Sequence, residues 1–443
     1  MLAATSGRLV EPGADGTESW TSVAIDSRLV QPGALFVPIH GQRDGHAFIG
    51  DAVARGATGY LTEEGHPRPE GAGSAAAIEV ADTGQALLDV GRAARDRLAG
   101  PVVGITGSVG KTSTKDLLAA ALGRRFVVTA STKSFNNELG LPLTLANGDP
   151  GTEVAVLEMG ASGPGHIALL CDVGRPTVGI VTAVAAVHTE LFGSIEGVAK
   201  GKSELVAALP ESGTAVLNAD DPRVAAMAGR TSARVLRYSP SGSTADGSTA
   251  DVVASGVEVD AELRASFVLA SPWGEAKLRL GARGAHQVGN ALAAATAALG
   301  LGVSLDDITA ALADAAISPW RMEMHHTAGG GTVVNDAYNA NPASMAAALR
   351  SLATLPARRR VAVVGEMAEL GTLTDEEHRS VAALAEELGV RLVAYRTDRY
   401  GVDPVDSFEA AVEAVGPLGD GDAVLVKASR VVGLERLVPL LAE

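Results

Sequence analysis

The residues best equipped for chemistry sit in one short stretch, Gly107-Ser108-Val109-Gly110-Lys111-Thr112-Ser113, entered from an apolar run that begins at Pro101. Glycines let backbone N–H groups crowd around phosphate oxygens, and a helix N-terminus adds a favourable dipole. Lys111 is a point charge for the outer phosphates of a nucleotide, and the Thr112 hydroxyl is a hard oxygen for Mg²⁺. The pattern predicts a strand, a turn and a helix over Thr112–Leu122. The usual spacing has glycine at position 105, where Ile105 stands, so the loop is a shorter variant. A chance Gly-Lys-Thr is the alternative, and the strand and helix around it weigh against that. A guanine-reading Asn-Lys-x-Asp motif does not occur in the chain.

Two further positions are candidates for holding a cation. Glu158 closes the apolar run Val154–Leu157, and a carboxylate at the C-terminal end of a central strand is where a nucleotide's Mg²⁺ would lie. A solvated glutamate at a strand end is the plain alternative. His188 follows the run Val178–Thr182, and alone it reads as an ordinary hydrogen-bonded histidine. Lys200 and Lys202, taken singly, read as surface lysines.

These residues need a scaffold, and at 443 residues the chain is too long for one core. Composition is globular, 47% hydrophobic and 20% charged, and the formal net charge of −16 argues against nonspecific binding to nucleic acid or membrane surfaces. A single cysteine, Cys171, cannot form an intrachain disulfide and reads as a small buried side chain. The N-terminus lacks a basic, apolar leader and no run has the length of a membrane span, so a cytoplasmic location is expected.

Three regions separate by pattern, giving an α/β chain of three domains with expected bounds 1–98, 99–316 and 317–443. The first has short strand-like runs (Ser22–Ile25, Ala34–Ile39, Gly59–Thr62, Ala76–Val80) and a helical stretch, Gly84–Leu98. The second alternates strand candidates (Glu153–Glu158, Val178–Thr182, Thr214–Asn218) with helices and closes on Gln287–Gly300 and Leu305–Ala315. Such alternation predicts a mostly parallel sheet covered on both faces. Within it, Ser239–Ala250 is low in complexity and reads as a surface loop. The third alternates again, through strands Thr332–Asn335, Arg360–Val364, Arg391–Ala394 and Ala423–Val426. It contains no GxGxxG, so a dinucleotide cofactor is unsupported.

Taken together in order, these motifs resemble the Mur ligases. The resemblance rests on Asp26-Ser27-Arg28, Gly107–Ser113, Lys133–Pro142 with Asn136-Asn137, Glu158-Met-Gly, His188-Thr-Glu190, Asn218-Ala-Asp220-Asp221, Gly284–Asn290 with His286, Trp320-Arg321, Asn335–Pro342 and Lys427–Arg430. It implies an N-terminal UDP-binding domain, a central phosphate-loop ATPase domain and a C-terminal Rossmann-like domain. It further implies Ser27 and Arg28 near the UDP moiety, with Asn136, Asn137 and Asn339 near substrate. His286 and Asn290 would approach the adenine, Asp336 the ribose, and Arg321 the γ-phosphate. Lys111, Glu158, His188, Lys202 and Arg321 would be catalytic. Mg²⁺ would rest on Thr112, Glu158, His188 and Lys202, the last as a carbamate.

The stretch Asn335–Pro342 is closest to the branch of the family that adds D-alanyl-D-alanine to UDP-N-acetylmuramoyl-tripeptide, and the implied state is a monomer. The rival branch, adding a single amino acid, carries Asp-Asn-Pro-Arg in its C-terminal domain, where this chain has Tyr395–Tyr400. A noncatalytic partner of the same fold would be expected to lose the phosphate loop or the metal set. One departure bears on function: the family's usual Lys-Gly-Ser-Arg is here Lys427-Ala428-Ser429-Arg430. Closure of the C-terminal domain, with a hinge near Ile317–Pro319, is expected to shield a reactive intermediate from water.

Overall fold

The structure, a computed structural model, describes residues 1–13, 19–132, 135–185 and 189–442. Of the residues singled out above, His188, Lys133 and Ser134 lie outside the described residues. The chain divides into two compact units. One comprises Met1–Gly104, Phe126–Gly160 and Ile167–Thr177, the other Ile105–Arg125, Ala161–His166 and Val178–Glu443.

The first unit holds a five-stranded sheet of β1 (Arg8–Glu11), β2 (Ser22–Ala24), β3 (Ala34–Phe36), β4 (Gly59–Glu63) and β5 (Ala76–Val80), in the order β1-β5-β4-β3-β2. Strands β2 to β5 pair in parallel and β1 closes the edge antiparallel. Side chains alternate between faces as the strand period of two requires. Leu35, Leu61 and Ile78 pack with Leu87 and Val90 of the helix Thr83–Arg97 on one side. Phe36, Tyr60 and Ala77 face Ile49 and Ala52 on the other. The helix starts where Asp82 accepts a hydrogen bond from the Gln85 N–H at 2.6 Å, a cap that stabilises a helix by about 1 kcal/mol. Gly91 lets it approach the helix Gly140–Ala146, since a Cβ there would lie 2.5 Å from Pro142.

A nine-stranded sheet carries the phosphate loop. Its strands are β6 (Val102–Thr106), β7 (Val128–Ala130), β8 (Val154–Glu158), β9 (Val178–Val181), β10 (Thr214–Asn218), β11 (Arg234–Ser239), β12 (Val252–Val259), β13 (Arg264–Ser271) and β14 (Gly274–Arg283). The order is β14-β13-β12-β11-β10-β9-β6-β8-β7. Strands β6, β8 and β9 are buried along their whole length, the continuous apolar run of a sheet covered on both faces. In the second unit β9 to β12 pair in parallel, while β12 to β14 form an antiparallel meander absent from the sequence reading. Residues 240–251 form the expected surface loop between β11 and β12.

The third sheet contains β15 (Glu323–His326), β16 (Thr332–Asn335), β17 (Arg359–Val364), β18 (Arg391–Tyr395), β19 (Pro404–Val405) and β20 (Asp422–Lys427). Its order is β15-β16-β20-β17-β18-β19, with only β15 antiparallel. Val334, Ala362, Val364 and Leu425 pack against Leu349 and Leu352 of the helix Pro342–Thr354. Val333, Val363, Val424 and Val426 pack against Leu437 and Val438 on the opposite face. Because β20 is inserted between β16 and β17, the chain crosses over beside the C-terminal ends of β16 and β20. That switch point is where such sheets place their ligand-binding groups. No described helix is long and apolar enough to cross a membrane.

Candidate active site

The phosphate loop joins β6 to the helix Lys111–Leu122, and its shape is fixed by what cannot fit there. Gly107 has φ +152° and a Cβ on it would lie 1.9 Å from Thr182 Oγ1. Gly110 has φ +84°, and its Cβ would lie 2.3 Å from Asn290 Oδ1. Both positions therefore require glycine for backbone angle and for space. Thr182 Oγ1 donates to the Val109 carbonyl at 2.5 Å, and the Ser108 N–H donates to the Ala183 carbonyl at 2.8 Å. The Ser108 hydroxyl accepts from the Ala185 N–H at 2.9 Å. Lys111 Nζ donates to the Gly107 carbonyl at 2.8 Å, which holds the ammonium over the loop. Thr112 and Ser113 are buried in the first helical turn.

Beneath the loop, Asn290 is buried. Its Oδ1 accepts from Thr114 Oγ1 at 3.4 Å, and its Nδ2 donates to Gln287 Oε1 at 2.8 Å. The Oδ1 end braces the helix of the phosphate loop and fills the space beside Gly110, while the Nδ2 end is held within its own helix, a positioning task that the sequence reading did not anticipate. His286, one residue before the helix Gln287–Gly300, is reached by solvent although protein surrounds it. Enclosure holds its imidazole below the ordinary range; the Asp336 charge pulls the other way, while Lys427 and Arg321 add to the depression.

Lys202 lies on the helix Ile195–Ala207 and is only 2% exposed, so it is not the surface lysine its sequence context suggests. Burial drives its ammonium well below the usual lysine range, and the Lys111 charge adds to the effect. Two like charges brought near each other in a poorly solvated place favour the neutral amine on one of them. Lys200, two residues away, is exposed.

At the switch point of the third sheet, Lys427 closes β20 and is 2% exposed. Its Nζ donates to Asp336 Oδ2 at 2.6 Å and to the Asn339 carbonyl at 2.9 Å, so one ammonium fixes the stretch that runs from Asp336 to Asn339. Asn339 itself is exposed. The Arg321 guanidinium lies 4.2 Å from the centre of the Tyr338 ring, and that of Arg430 lies 4.3 Å from the Trp320 ring. Trp320 and Met322, on either side of Arg321, have φ of +61° and +55°. Left-handed backbone at non-glycine residues costs of order 1 kcal/mol each and clusters at functional sites.

Ala428 is buried with its methyl group against Gly365, where an added Cβ would come within 2.8 Å. The alanine that departs from the family pattern thus has a place because residue 365 has no side chain. Ser318, in the expected hinge, donates its N–H and its hydroxyl to Asp116 Oδ2, both at 2.7 Å. Asp116 Oδ1 is paired with Lys115 at 2.7 Å. The helix that begins at the phosphate loop is therefore tied to the segment leading into the third sheet.

The first unit places the remaining candidates. Glu158 is 1% exposed and accepts from Asn136 Nδ2 at 2.9 Å, while its N–H donates to Ser131 Oγ at 3.1 Å. The Asn136 carbonyl accepts from the Gly160 N–H at 2.7 Å. Asn137 is exposed, and its Oδ1 accepts from the Gly140 N–H at 2.9 Å, at the start of the helix Gly140–Ala146. Ser27 is buried, whereas Arg28 is exposed and paired with Asp26 at 2.7 Å. Cys171 is buried as expected.

Three family models match the chain. Mur ligase family, catalytic domain, matches residues 19–94; Mur ligase middle domain matches 105–298; and Mur ligase, glutamate ligase domain, matches 320–430. The UDP-N-acetylmuramoyl-tripeptide–D-alanyl-D-alanine ligase of Mycobacterium tuberculosis is 39% identical over 93% of this chain and 90% of that protein. Among solved structures, MurF from Acinetobacter baumannii superposes with a TM-score of 0.84 at 28% identity, covering all of this chain and 97% of the other. The MurF ligase from Thermotoga maritima in complex with ADP does so with a TM-score of 0.81 at 28% identity, over 95% of this chain and 97% of that one.

Proposed function

The chain belongs to the Mur ligase family, and from that premise we propose that it joins D-alanyl-D-alanine to UDP-N-acetylmuramoyl-tripeptide at the expense of ATP. Its place is then peptidoglycan precursor synthesis, in the cytoplasm. The observation that carries the reading is the pairing of a glycine-tight phosphate loop with a buried lysine, Lys202, whose positive charge is disfavoured. A simple phosphate-loop nucleotidase has no need of the second feature.

The tripeptide carboxylate is a poor acyl donor, because oxide is a poor leaving group. Attack of a carboxylate oxygen on the γ-phosphorus releases ADP and leaves an acyl phosphate. The dipeptide amine then attacks the acyl carbon, and inorganic phosphate departs with the electron pair. The first step brings two anions together, so positive charge is needed where they meet. Lys111 and the loop N–H groups hold the outer phosphates, and Arg321 reaches the γ-phosphate. Tyr338 keeps the Arg321 guanidinium plane oriented by stacking. Asp336 takes the ribose, with Lys427 fixing its carboxylate. His286 borders the adenine and Asn290 supports the loop beneath it.

Mg²⁺, when bound, neutralises phosphate charge and polarises the phosphoryl group. Thr112, Glu158, His188 and Lys202 would hold it. A hydroxyl and a carboxylate are suitable hard donors. An ammonium would not be, but a neutral Lys202 amine can add CO₂ to give a carbamate, and its burial supports the neutral form. Ser27, Arg28, Asn136, Asn137 and Asn339 are proposed to contact the UDP-linked peptide or the dipeptide. The proposed domains are 1–98, 99–316 and 317–443.

The test is incubation with ATP, Mg²⁺, UDP-N-acetylmuramoyl-tripeptide and D-alanyl-D-alanine, reading phosphate release and product mass. One pentapeptide per phosphate is expected. Product from a single amino acid, and not from the dipeptide, would place the chain in the sister branch. Silence with every amine would return it to a noncatalytic role.

A further inference from the structure

The five-stranded sheet carries a second group of ligand-type side chains, to which the ligase chemistry set out above assigns no role. His40 and Asp44 stand in the turn after β3, and His46 lies in the 3₁₀ turn Gly45–Phe48 that follows. Glu63 is the last residue of β4, and His66 lies in the turn beyond it. One ligand atom from each of His40, Asp44 and His46 lies within 4.8 Å of the other two, and the same holds for His46, Glu63 and His66. His46 belongs to both triads.

The backbone preorganises the group. His40 and Asp44 form an isolated bridge, and Gly45 lies so close under the strand end that a Cβ would come within 2.4 Å of the Ile39 nitrogen. The His46 and His66 rings stack with centroids 3.9 Å apart and 15° between planes. Asp44 Oδ1 is 2.7 Å from His46 Nδ1, Asp44 Oδ2 is 3.4 Å from His66 Nε2, and Glu63 Oε2 is 3.0 Å from His40 Nε2. Even so, His46 Nε2 and His66 Nδ1 are buried with no hydrogen-bond partner, and His46 is only 6% exposed. Buried polar atoms are rarely left in that condition, so two orphaned imidazole nitrogens in one cluster point to a missing electrophile.

We propose that His40, Asp44, His46, Glu63 and His66 form a binding site for one divalent cation of the zinc class. The donor set decides the class. Three imidazoles with a carboxylate suit zinc and its neighbours, whereas magnesium and calcium favour oxygen alone. Two carboxylate charges also balance a dication. At metal–ligand distances of about 2.1 Å, tetrahedral ligand atoms stand about 3.4 Å apart. His46 Nε2 and His66 Nδ1 are the lone pairs offered to the ion beside His40 and Glu63, four ligands in all, while Asp44, 2.7 Å from His46 Nδ1 and 3.4 Å from His66 Nε2, orients both rings from behind. The ion would staple the turn after β3 to the turn after β4.

The experiment uses full-length protein stripped with chelator, held in excess Mg²⁺ and ADP so that the proposed catalytic cation sites are taken. Zn²⁺ is titrated by calorimetry, and Co²⁺ by the visible bands of a low-coordinate site. One equivalent is expected in the wild type, with a metal-dependent rise in melting temperature. His40→Ala and His66→Ala should each weaken binding at least about tenfold, with metal-free melting curves like the wild type's. His66→Gln replaces either variant that fails to fold, and His325→Ala/His326→Ala should bind as the wild type does. Absence of a saturable equivalent in the wild type, or unaltered binding in both ligand variants, would overturn the proposal while leaving the ligase reading intact.

Discussion

The phosphate loop and the Asp336–Lys427 cluster belong to the same unit and serve the same proposed nucleotide, yet they keep their shapes by opposite means. Around Gly107 and Gly110 there is no room for another atom, and apart from the Lys111 ammonium on the Gly107 carbonyl the turn is held by bonds between neutral groups, such as Thr182 to Val109 and Ser108 to Ala183. Around Asp336 the shape depends on a buried ammonium, on two guanidinium groups stacked over rings, and on strained backbone beside Arg321. The loop is sensitive to atoms added. The cluster is sensitive to atoms removed, because what remains is a charge without its partner.

Substitutions can break that contrast, beginning where the effect is largest. Lys427→Ala strands the Asp336 carboxylate and frees the Asn339 carbonyl, and should cost about 3–5 kcal/mol of stability, read from denaturant unfolding. A cost below about 1 kcal/mol would mean that solvent, and not Lys427, satisfies Asp336. Gly107→Ala should lower kcat/KM for ATP at least about a hundredfold. Adding Thr182→Ala should recover only part, since the backbone angle remains unfavourable; full recovery would show that crowding alone matters.

Gly365→Ala tests whether the cluster also contains a site governed by space. It should destabilise by about 1–3 kcal/mol, and Ala428→Gly in the same chain should restore most of this. A double variant no better than the single one would exclude the contact.

Lys202→Met joins the two kinds of region, since it removes a charge that the fold disfavours. The folded chain holds this amine well below its ordinary value of 10.5, so the unfolded chain binds the proton more readily. Stability lost to this lysine therefore grows as pH falls below 10.5 and vanishes above it. In CO₂-depleted buffer the variant should melt higher than the wild type, by a margin that widens on acidification, while ligase activity is lost. A margin independent of pH would show that the side chain is not poorly solvated.

What the sequence made legible follows the same division. The phosphate loop is contiguous, so its residues declared themselves together. Strands Ala76–Val80, Thr214–Asn218 and Thr332–Asn335 and the helix Gln287–Gly300 appear with the bounds expected of them. The meander from β12 to β14 did not emerge, although Arg264–Ser271 alternates, with Ala265, Phe267 and Leu269 buried. Lys427 with Asp336, Asp116 with Ser318, and His40 with Glu63 join residues far apart in the chain, and local pattern holds no record of such meetings. Lys202 was legible only through resemblance, because burial on one face of a helix is set by what packs over it.

The facing pair Gly365 and Ala428 also constrains history. If glycine once stood at 428, as is usual in the family, the alanine could be accepted only while 365 had no side chain. Once present, it sets a cost on every substitution at 365 that adds a carbon. Either exchange is then conditional on the other, and the order that releases 428 before 365 is the one that avoids the crowded pair.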